Sequence, residues 1–178
     1  MPPMRCLLSA LALSLAACGA QESPSPATAT ATPAAATAPQ TGTAGHAPHV
    51  RTACRGATLV LTALHEGDGL PQRTRLEAER DGRRTVLDVP QGMQDVAAIG
   101  LGCTRDASGT PYFVVQYGEL PRGCAACEWF VLHDADGRPL HAAAASLRED
   151  GQAPDNDAYE RRLRELGLAH PEIALLPF

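Results

Sequence analysis

The chain has no lysine, and all 15 of its basic residues are arginine. Because 20 acidic residues outnumber them, the formal net charge is −5, which gives no electrostatic basis for binding nucleic acid. No uninterrupted apolar stretch reaches the roughly 18 residues of a membrane-spanning helix. Aromatic residues make up only 4% of the 178 residues, and all of them follow residue 50. The folded core is therefore expected in the C-terminal part of the chain.

The first residues follow the pattern of a secretory signal peptide. Arg5 supplies a positive charge, and residues 6–17 form an apolar run that is too short to span a bilayer. The run ends in Leu15, Ala16, Ala17 and Cys18, which resembles the lipobox of bacterial lipoproteins. The resemblance covers this segment only. An ordinary secretory signal that happens to precede a cysteine is the alternative.

This resemblance implies a lipid anchor at Cys18. The cysteine sulfur would receive a diacylglyceryl group, cleavage would remove residues 1–17, and the freed amine would be open to a further acyl chain. Each buried CH₂ group contributes ~0.8 kcal/mol, so several acyl chains hold a protein stably in a membrane. Gly19 follows the cysteine, in place of the Asp associated with retention in the inner membrane. We therefore expect anchoring in the outer membrane, on its periplasmic face.

Residues 18–50 are expected to form a disordered tether after the lipidated cysteine. The segment is rich in Ala, Thr and Pro, and its one large aliphatic side chain is Val50. Such a composition buries too little apolar surface to offset the entropy lost on ordering. Repeated prolines, among them Pro24 and Pro33, interrupt an alanine-rich helix. The segment would hold the folded domain clear of the membrane.

Residues 51–178 are predicted to form a single domain of the α+β class. It would be mainly an antiparallel β sheet, built as a meander of hairpins, with one C-terminal helix. The strongest hairpin signal lies at 73–89, with Asp81 and Gly82 as a two-residue type I′ turn. This register pairs Glu79 with Arg84, Arg75 with Asp88, Leu76 with Leu87, and Thr74 with Val89.

A short turn pattern occurs twice. Residues 106–111 and 134–139 both read D-A-x-G-x-P, in which Asp opens a turn, Gly supplies a positive φ and Pro restarts an extended chain. Calcium binding is the alternative, because Asp134 and Asp136 lie two residues apart. An EF-hand-like loop also needs a Glu at its twelfth position, where Ala145 stands. The pattern therefore favours hairpin turns without a metal.

Two strands, at 112–118 and 128–134, are apolar on both faces, so each face needs a cover. A helix after residue 156 supplies one cover, with Tyr159, Leu163 and Leu166 on one side. Its start is predicted as a capping box from Asp157 and Glu160, and its end at Gly167. The apolar tail at 173–178 is expected to pack back on the sheet.

Four cysteines follow the predicted lipidation site: Cys54, Cys103, Cys124 and Cys127. Cysteines of an exported chain usually form disulfides, and four allow three pairings. The simplest joins Cys54 to Cys103 and Cys124 to Cys127. The second pair also has the C-x-x-C spacing of thiol–disulfide oxidoreductases or of half a metal site. Residues 128–132 predict a strand, whereas a reactive pair commonly precedes a helix, so a structural bridge is favoured.

Nothing in the sequence predicts a catalytic site, a cofactor or a resident metal. The histidines are scattered, and no nucleophile elbow or phosphate-binding loop is present. We expect a non-catalytic binding module of the inhibitor, immunity or envelope-assembly type. Besides the membrane, its partner would be a periplasmic or envelope protein. The candidate recognition loop, rigidified by a proline, comprises Glu119, Leu120, Pro121, Arg122 and Gly123. An oxidoreductase that uses Cys124 and Cys127 is the alternative.

The lipid anchor is tested by Cys18→Ala. Because the tether and the domain offer no other predicted anchor, this variant should move from the membrane fraction to the soluble fraction. Fractionation followed by a high-salt wash measures the shift. A Cys18→Ala protein that still sediments with washed membranes would refute the lipoprotein prediction.

Overall fold

The computed structural model describes residues 40–42, 47–65, 73–120 and 128–177. Within these ranges the chain forms nine strands and one helix, and all paired strands are antiparallel. In chain order they are β1 (Gln40–Gly42), β2 (His49–Cys54), β3 (Ala57–Leu64), β4 (Arg73–Arg80), β5 (Arg83–Val86), β6 (Ala97–Arg105), β7 (Pro111–Gly118), β8 (Trp129–His133), α1 (Asp157–Leu166) and β9 (Ala174–Leu175). The described residues contain no helix long and apolar enough to cross a bilayer.

The first sheet is a meander in which β1 to β5 lie in chain order. The turn between β4 and β5 has φ values of 51° at Asp81 and 74° at Gly82, as a type I′ turn requires. Glu79 lies opposite Arg84, and the Leu87 N–H donates to the Leu76 carbonyl at 2.9 Å. Leu76 is buried, at 7% exposure. The predicted turn and register are confirmed in this part of the hairpin.

The same hairpin is shorter than predicted. β5 ends at Val86, so the expected pairs of Arg75 with Asp88 and of Thr74 with Val89 do not form. The chain instead turns at Pro90, whose carbonyl accepts a hydrogen bond from the Met93 N–H. Met93 is fully buried in the core. Burial of this side chain redirects the backbone toward the second sheet before the ladder reaches Val89.

The N-terminal boundary of the fold also differs from the prediction. Both β1 and the first residues of β2 precede residue 51, so the expected tether over 18–50 extends too far. Val50 is fully buried and lies opposite Leu61. It begins an inward-facing alternation that continues at Thr52 and Cys54. The average composition of the segment concealed this alternation at its end.

The second sheet has the order β8-β7-β6-β9. Both D-A-x-G-x-P segments are turns of the same geometry. One carboxylate oxygen of Asp106 accepts hydrogen bonds from the N–H groups of Ser108 and Thr110, and Asp134 does the same for Asp136 and Arg138. Gly109 and Gly137 have φ values of 83° and 81°. The turn prediction is confirmed at both places.

The two sheets pack face to face and enclose the main core. Its fully buried members include Leu59 and Leu61 of the first sheet and Phe113 and Val115 of the second. A disulfide between Cys54 and Cys103 joins β2 to β6 across this interface, with a Cα–Cα distance of 5.7 Å. This pairing was the simplest of those that the sequence allowed. Cys124 and Cys127 lie outside the described residues.

The helix α1 covers the other face of the second sheet. Tyr159 and Leu163 of the helix pack with Val114 of β7 and Leu132 of β8, as predicted for strands that are apolar on both faces. The predicted capping box is wrong, because the helix N-cap is Asn156 and makes no side-chain capping bond. Its amide accepts from the Phe130 N–H and donates to the Glu128 carbonyl, which fastens the helix to the start of β8.

The C-terminal tail returns to the sheet as predicted. β9 pairs with β6, and the Leu176 N–H donates to the Ile99 carbonyl at 2.8 Å. Leu176 itself is fully buried in the core between the sheets. The tail is therefore an edge strand of the second sheet and supplies part of the core.

Breaking the inter-sheet disulfide should destabilise the protein. Cys54 and Cys103 are 49 residues apart in the sequence. In the chain-entropy model, a closed loop of this length stabilises the fold by about 4 kcal/mol. We expect the Cys54→Ala/Cys103→Ala variant to lose a stabilisation of this order, measured by urea unfolding under non-reducing conditions. Unchanged unfolding midpoints would show that inter-sheet packing alone holds the two sheets.

Candidate binding cleft

The two ends of the paired sheets differ, and one of them is closed by polar contacts. The Arg55 guanidinium, in the turn between β2 and β3, donates to the Gly109 carbonyl at 3.0 Å. The Arg80 guanidinium, beside the turn between β4 and β5, contacts the Asp136 carboxylate at 2.5 Å. Each of these hairpins thus contacts one of the two Asp-Gly turns of the second sheet. The disulfide lies at the same end, so three contacts join the two sheets there.

The opposite end opens into a cleft of about 320 Å³ between the sheets. Buried and half-buried apolar side chains form its floor, and exposed side chains of mixed charge surround it. The floor includes Leu76, Leu87, Val96, Ala98, Tyr117 and Leu120, and the rim includes Arg73, Arg75, Val86, Asp88, Val89, Gln94 and Asp95. We call this site the open-end cleft.

Two exposed valines distinguish the rim of the open-end cleft. Val86 is 59% exposed and Val89 is 49% exposed. Single exposed apolar residues are ordinary on protein surfaces. Here two of the four large apolar residues found exposed in the described part of the chain border the same cleft. The rim therefore offers apolar surface beside charged groups.

The predicted recognition loop begins at this cleft. Glu119 is exposed just after β7, and the half-buried Leu120 lines the cleft. Pro121, Arg122 and Gly123 lie outside the described residues. The segment from Val86 to Val96 forms the cleft wall that faces Leu120. The sequence pattern did not indicate this wall, because it predicted a hairpin that continues to Val89. Pro90, which cannot donate to a ladder, was the available signal that the strand had ended.

The polar side chains of the two Asp-Gly turns, among them the residues of the calcium alternative, have structural partners. The Asp134 carboxylate accepts backbone hydrogen bonds, and Asp136 contacts Arg80, so neither faces an open calcium site. The Ser108 hydroxyl contacts Asp106 and Thr110 inside its turn. Across the described ranges, no group of three or more His, Cys, Asp or Glu residues is placed to hold a metal ion.

Several histidines and aromatic rings meet under the helix. The Tyr159 hydroxyl and His170 Nδ1 share a hydrogen bond of 2.7 Å, and the His170 ring lies edge-on to Phe130 with centroids 4.8 Å apart. Burial lowers the pKa of His170 and raises the pKa of Tyr159. Both groups are therefore neutral near pH 7. This cluster serves the packing of α1 on the second sheet.

His133 is the most deeply buried histidine of the described residues, at 1% exposure. Its Nδ1–H donates to the Gly137 carbonyl at 2.8 Å, and its Nε2 has no hydrogen-bond partner there. Burial lowers the pKa of His133, and the hydrogen bond to Gly137 opposes this shift in part. The ring is thus held neutral in the core, near the closed end.

The hairpin of β4 and β5 carries a network of ion pairs on its outer face. Glu79 contacts both Arg51 and Arg84, and Arg84 also approaches Glu77 at 3.8 Å. The hydrogen bond from Arg51 is the main cause that holds the pKa of Glu79 below its ordinary value. Arg83 is exposed and has no ion-pair partner among the described residues.

Comparison of the chain with protein-family models, with curated proteins and with solved structures found no match.

His133 should make the protein less stable in mild acid. Because its pKa is lower in the folded state than in the unfolded chain, the unfolded chain binds a proton first as the pH falls below about 6.5. Above that pH, the contribution of His133 to the free energy of unfolding should not change with pH. It should then fall by at most about 1.4 kcal/mol per pH unit for one histidine, until the folded pKa is reached.

Urea unfolding of the wild type and of His133→Asn at several pH values from 8 to 5 measures this contribution. Asn retains a donor for the Gly137 carbonyl and does not titrate in this range. The slope of stability against pH should be shallower in His133→Asn. This variant should keep only the contributions of His141 and His170, whose pKa values burial also lowers. Equal slopes would contradict the assignment.

Proposed function

We propose that this chain is a non-catalytic binding module that is anchored to the outer membrane through Cys18 and faces the periplasm. The open-end cleft is its binding site, and the partner is an envelope or periplasmic protein. The observation that carries this proposal is the open-end cleft itself, with its apolar floor and the exposed Val86 and Val89 on its rim. Inhibitors, immunity proteins and accessory subunits of envelope assemblies act by such binding.

The composition of the cleft supports binding of a protein. An apolar centre surrounded by charged groups is the usual arrangement of a protein–protein interface. At about 320 Å³, the cleft is at the small end of the range for sites that enclose a drug-sized ligand. It suits one or two side chains of a larger partner that also covers the rim.

The closed end supports the same proposal through rigidity. The disulfide and the contacts of Arg55 and Arg80 hold the two sheets in one relative position. A binding site between elements that are already fixed loses less conformational entropy when the partner binds. Strands β4, β6 and β7 supply one part of the cleft wall, and the segment between β5 and β6 supplies the other. The partner thus meets a surface that is preformed on its strand side.

The predicted anchor supports the location. Since β1 begins at Gln40, the proposed tether from Cys18 is shorter than the sequence suggested. Cys18 and the remainder of the proposed tether, up to residue 39, lie outside the described residues.

The alternative function, thiol–disulfide exchange at Cys124 and Cys127, has less support. Glu128 is exposed, and the strand β8 begins at Trp129, immediately after it. Reactive C-x-x-C pairs commonly lie at a helix N-terminus, which lowers the thiol pKa. A strand at this position supplies no such field, which favours a structural bridge that restrains the loop after Leu120.

Site-specific photo-crosslinking tests the binding site. A photoreactive side chain at position 89 should yield a discrete adduct with an envelope protein in intact cells. The matched control is position 147, because Leu147 is 46% exposed, close to the 49% of Val89, but lies away from the cleft. The control should give no such adduct. Identical adduct patterns at the two positions would overturn the cleft as the binding site.

A turnover assay with a disulfide substrate separates the two functions. For the binding module we expect no turnover, and a reduction potential of the Cys124–Cys127 pair below about −300 mV, as in structural disulfides. Cys124→Ala/Cys127→Ala should weaken the adduct at position 89, because the loop must then be ordered on binding. Turnover in the wild type that this double change abolishes would establish the enzyme instead.

A further inference from the structure

The outer edge of β5 is an unpaired strand edge in the described part of the chain. β5 ends the first sheet, and its four residues are all exposed. The Leu87 N–H bonds to Leu76, and strand hydrogen bonds alternate in direction, so the backbone groups of Thr85 also face β4. The N–H and C=O groups of Arg84 and Val86 therefore point away from the sheet, where no described residue bonds to them.

The charge on this hairpin differs in sign from that of the whole chain. The segment 73–86 holds five arginines and three carboxylates, in a chain whose net charge is −5. Arg83 and Arg84 stand at the start of β5, and Arg83 has no ion-pair partner among the described residues. A second copy of this chain on the same edge would bring four arginines into one short ladder, which like-charge repulsion disfavours. A segment with carboxylates is the complementary occupant.

The same edge leads into the open-end cleft. Val86, at the end of β5, and Val89, three residues further, both lie on the cleft rim. A strand that pairs antiparallel with β5 would thus place one end beside Arg83 and Arg84 and the other beside two exposed valines. Backbone hydrogen bonds supply affinity in such strand addition, and the neighbouring side chains supply selectivity.

We propose that β5 binds an extended segment of a partner protein by strand addition. The segment carries carboxylates that face Arg83 and Arg84, and β-branched apolar side chains that face Val86 and the open-end cleft. This inference rests on the proposed binding function and specifies the chemistry of the partner.

Two labelled peptides test the proposal by fluorescence anisotropy with the purified full chain. One is a nine-residue peptide with valines in its N-terminal half and glutamates in its C-terminal half, as antiparallel pairing with β5 requires, and the other has lysine in place of glutamate. We expect the acidic peptide to bind at least tenfold more tightly, and less tightly as salt is added. Equal affinities for the two peptides would overturn the charge assignment.

Val86→Pro tests the strand edge, because it removes an outward N–H group and leaves the bonds to β4 in place. It should weaken binding of the acidic peptide at least tenfold. Val86→Ala keeps the N–H group and loses a similar part of the side chain, so it should weaken binding less than threefold. Equal affinities of these two variants would exclude strand addition, provided that their melting curves show both to be folded.

Arg83→Glu supplies a second variant that does not alter the backbone. It should weaken binding of the acidic peptide at least fivefold, whereas Arg161→Glu, the same charge change on α1, should have less than a twofold effect. Peptide binding should also slow hydrogen exchange at the amides of Arg84 and Val86 at least tenfold. Dimerisation of the free chain that Val86→Pro abolishes would identify a second copy as the occupant and overturn the proposal.

The proposed function and this inference fail in different ways. Loss of peptide binding with a persistent photo-adduct at position 89 overturns strand addition alone. Absence of both the adduct and peptide binding overturns the binding function together with it.

Discussion

The contact between the apolar faces of the two sheets is the interaction on which the rest of this fold depends. Fully buried Leu59 and Leu61 meet Phe113 and Val115 there, and each such side chain contributes roughly 1.5–3 kcal/mol when it is fully buried. Hydrophobic burial has little directionality, so it does not by itself fix the relative position of two sheets. That position is fixed by the disulfide between Cys54 and Cys103 and by the polar contacts of Arg55 and Arg80.

These directional contacts all lie at one end, which makes the two ends of the molecule unequal. At the closed end, the short hairpin turns of the first sheet contact those of the second sheet. At the other end, the chain leaves β5, turns at Pro90 and buries Met93 before it enters β6. Residues 86–89 and 94–98 of this connection line the open-end cleft. Rigidity at one end and exposed apolar surface at the other together make a binding role physically reasonable.

Charge is distributed as unevenly as rigidity. Carboxylates outnumber arginines in the segment 128–177, which includes α1, whereas arginines prevail on the hairpin of β4 and β5. Ion pairs such as Arg51 with Glu79 neutralise part of that hairpin, and Arg83 at its edge stays exposed. An acidic partner would thus be attracted to the edge at β5. Such an uneven charge distribution affects both the rate at which a partner associates and the orientation in which it approaches.

Local patterns in the sequence were sufficient for the antiparallel class, the turn at Asp81 and Gly82, the two Asp-Gly turns and the helix with Tyr159 and Leu163 inward. Each of these depends on residues a few positions apart, whose φ preferences and periodicity act locally. For the cysteines, the sequence allowed three pairings, of which Cys54 with Cys103 belonged to the simplest, and the structure shows this bridge.

Only the tertiary structure decided where elements end and what they face. Val50 belongs to a strand because Leu61 lies opposite it, and Asn156 caps the helix without a side-chain bond because Phe130 and Glu128 engage its amide. The division into two sheets and the open-end cleft arise from residues far apart in the chain, such as Val89 and Leu120. At these places, packing between residues far apart in the sequence competes with the local conformational preference of the chain. The periodicity of the sequence does not reveal such contacts.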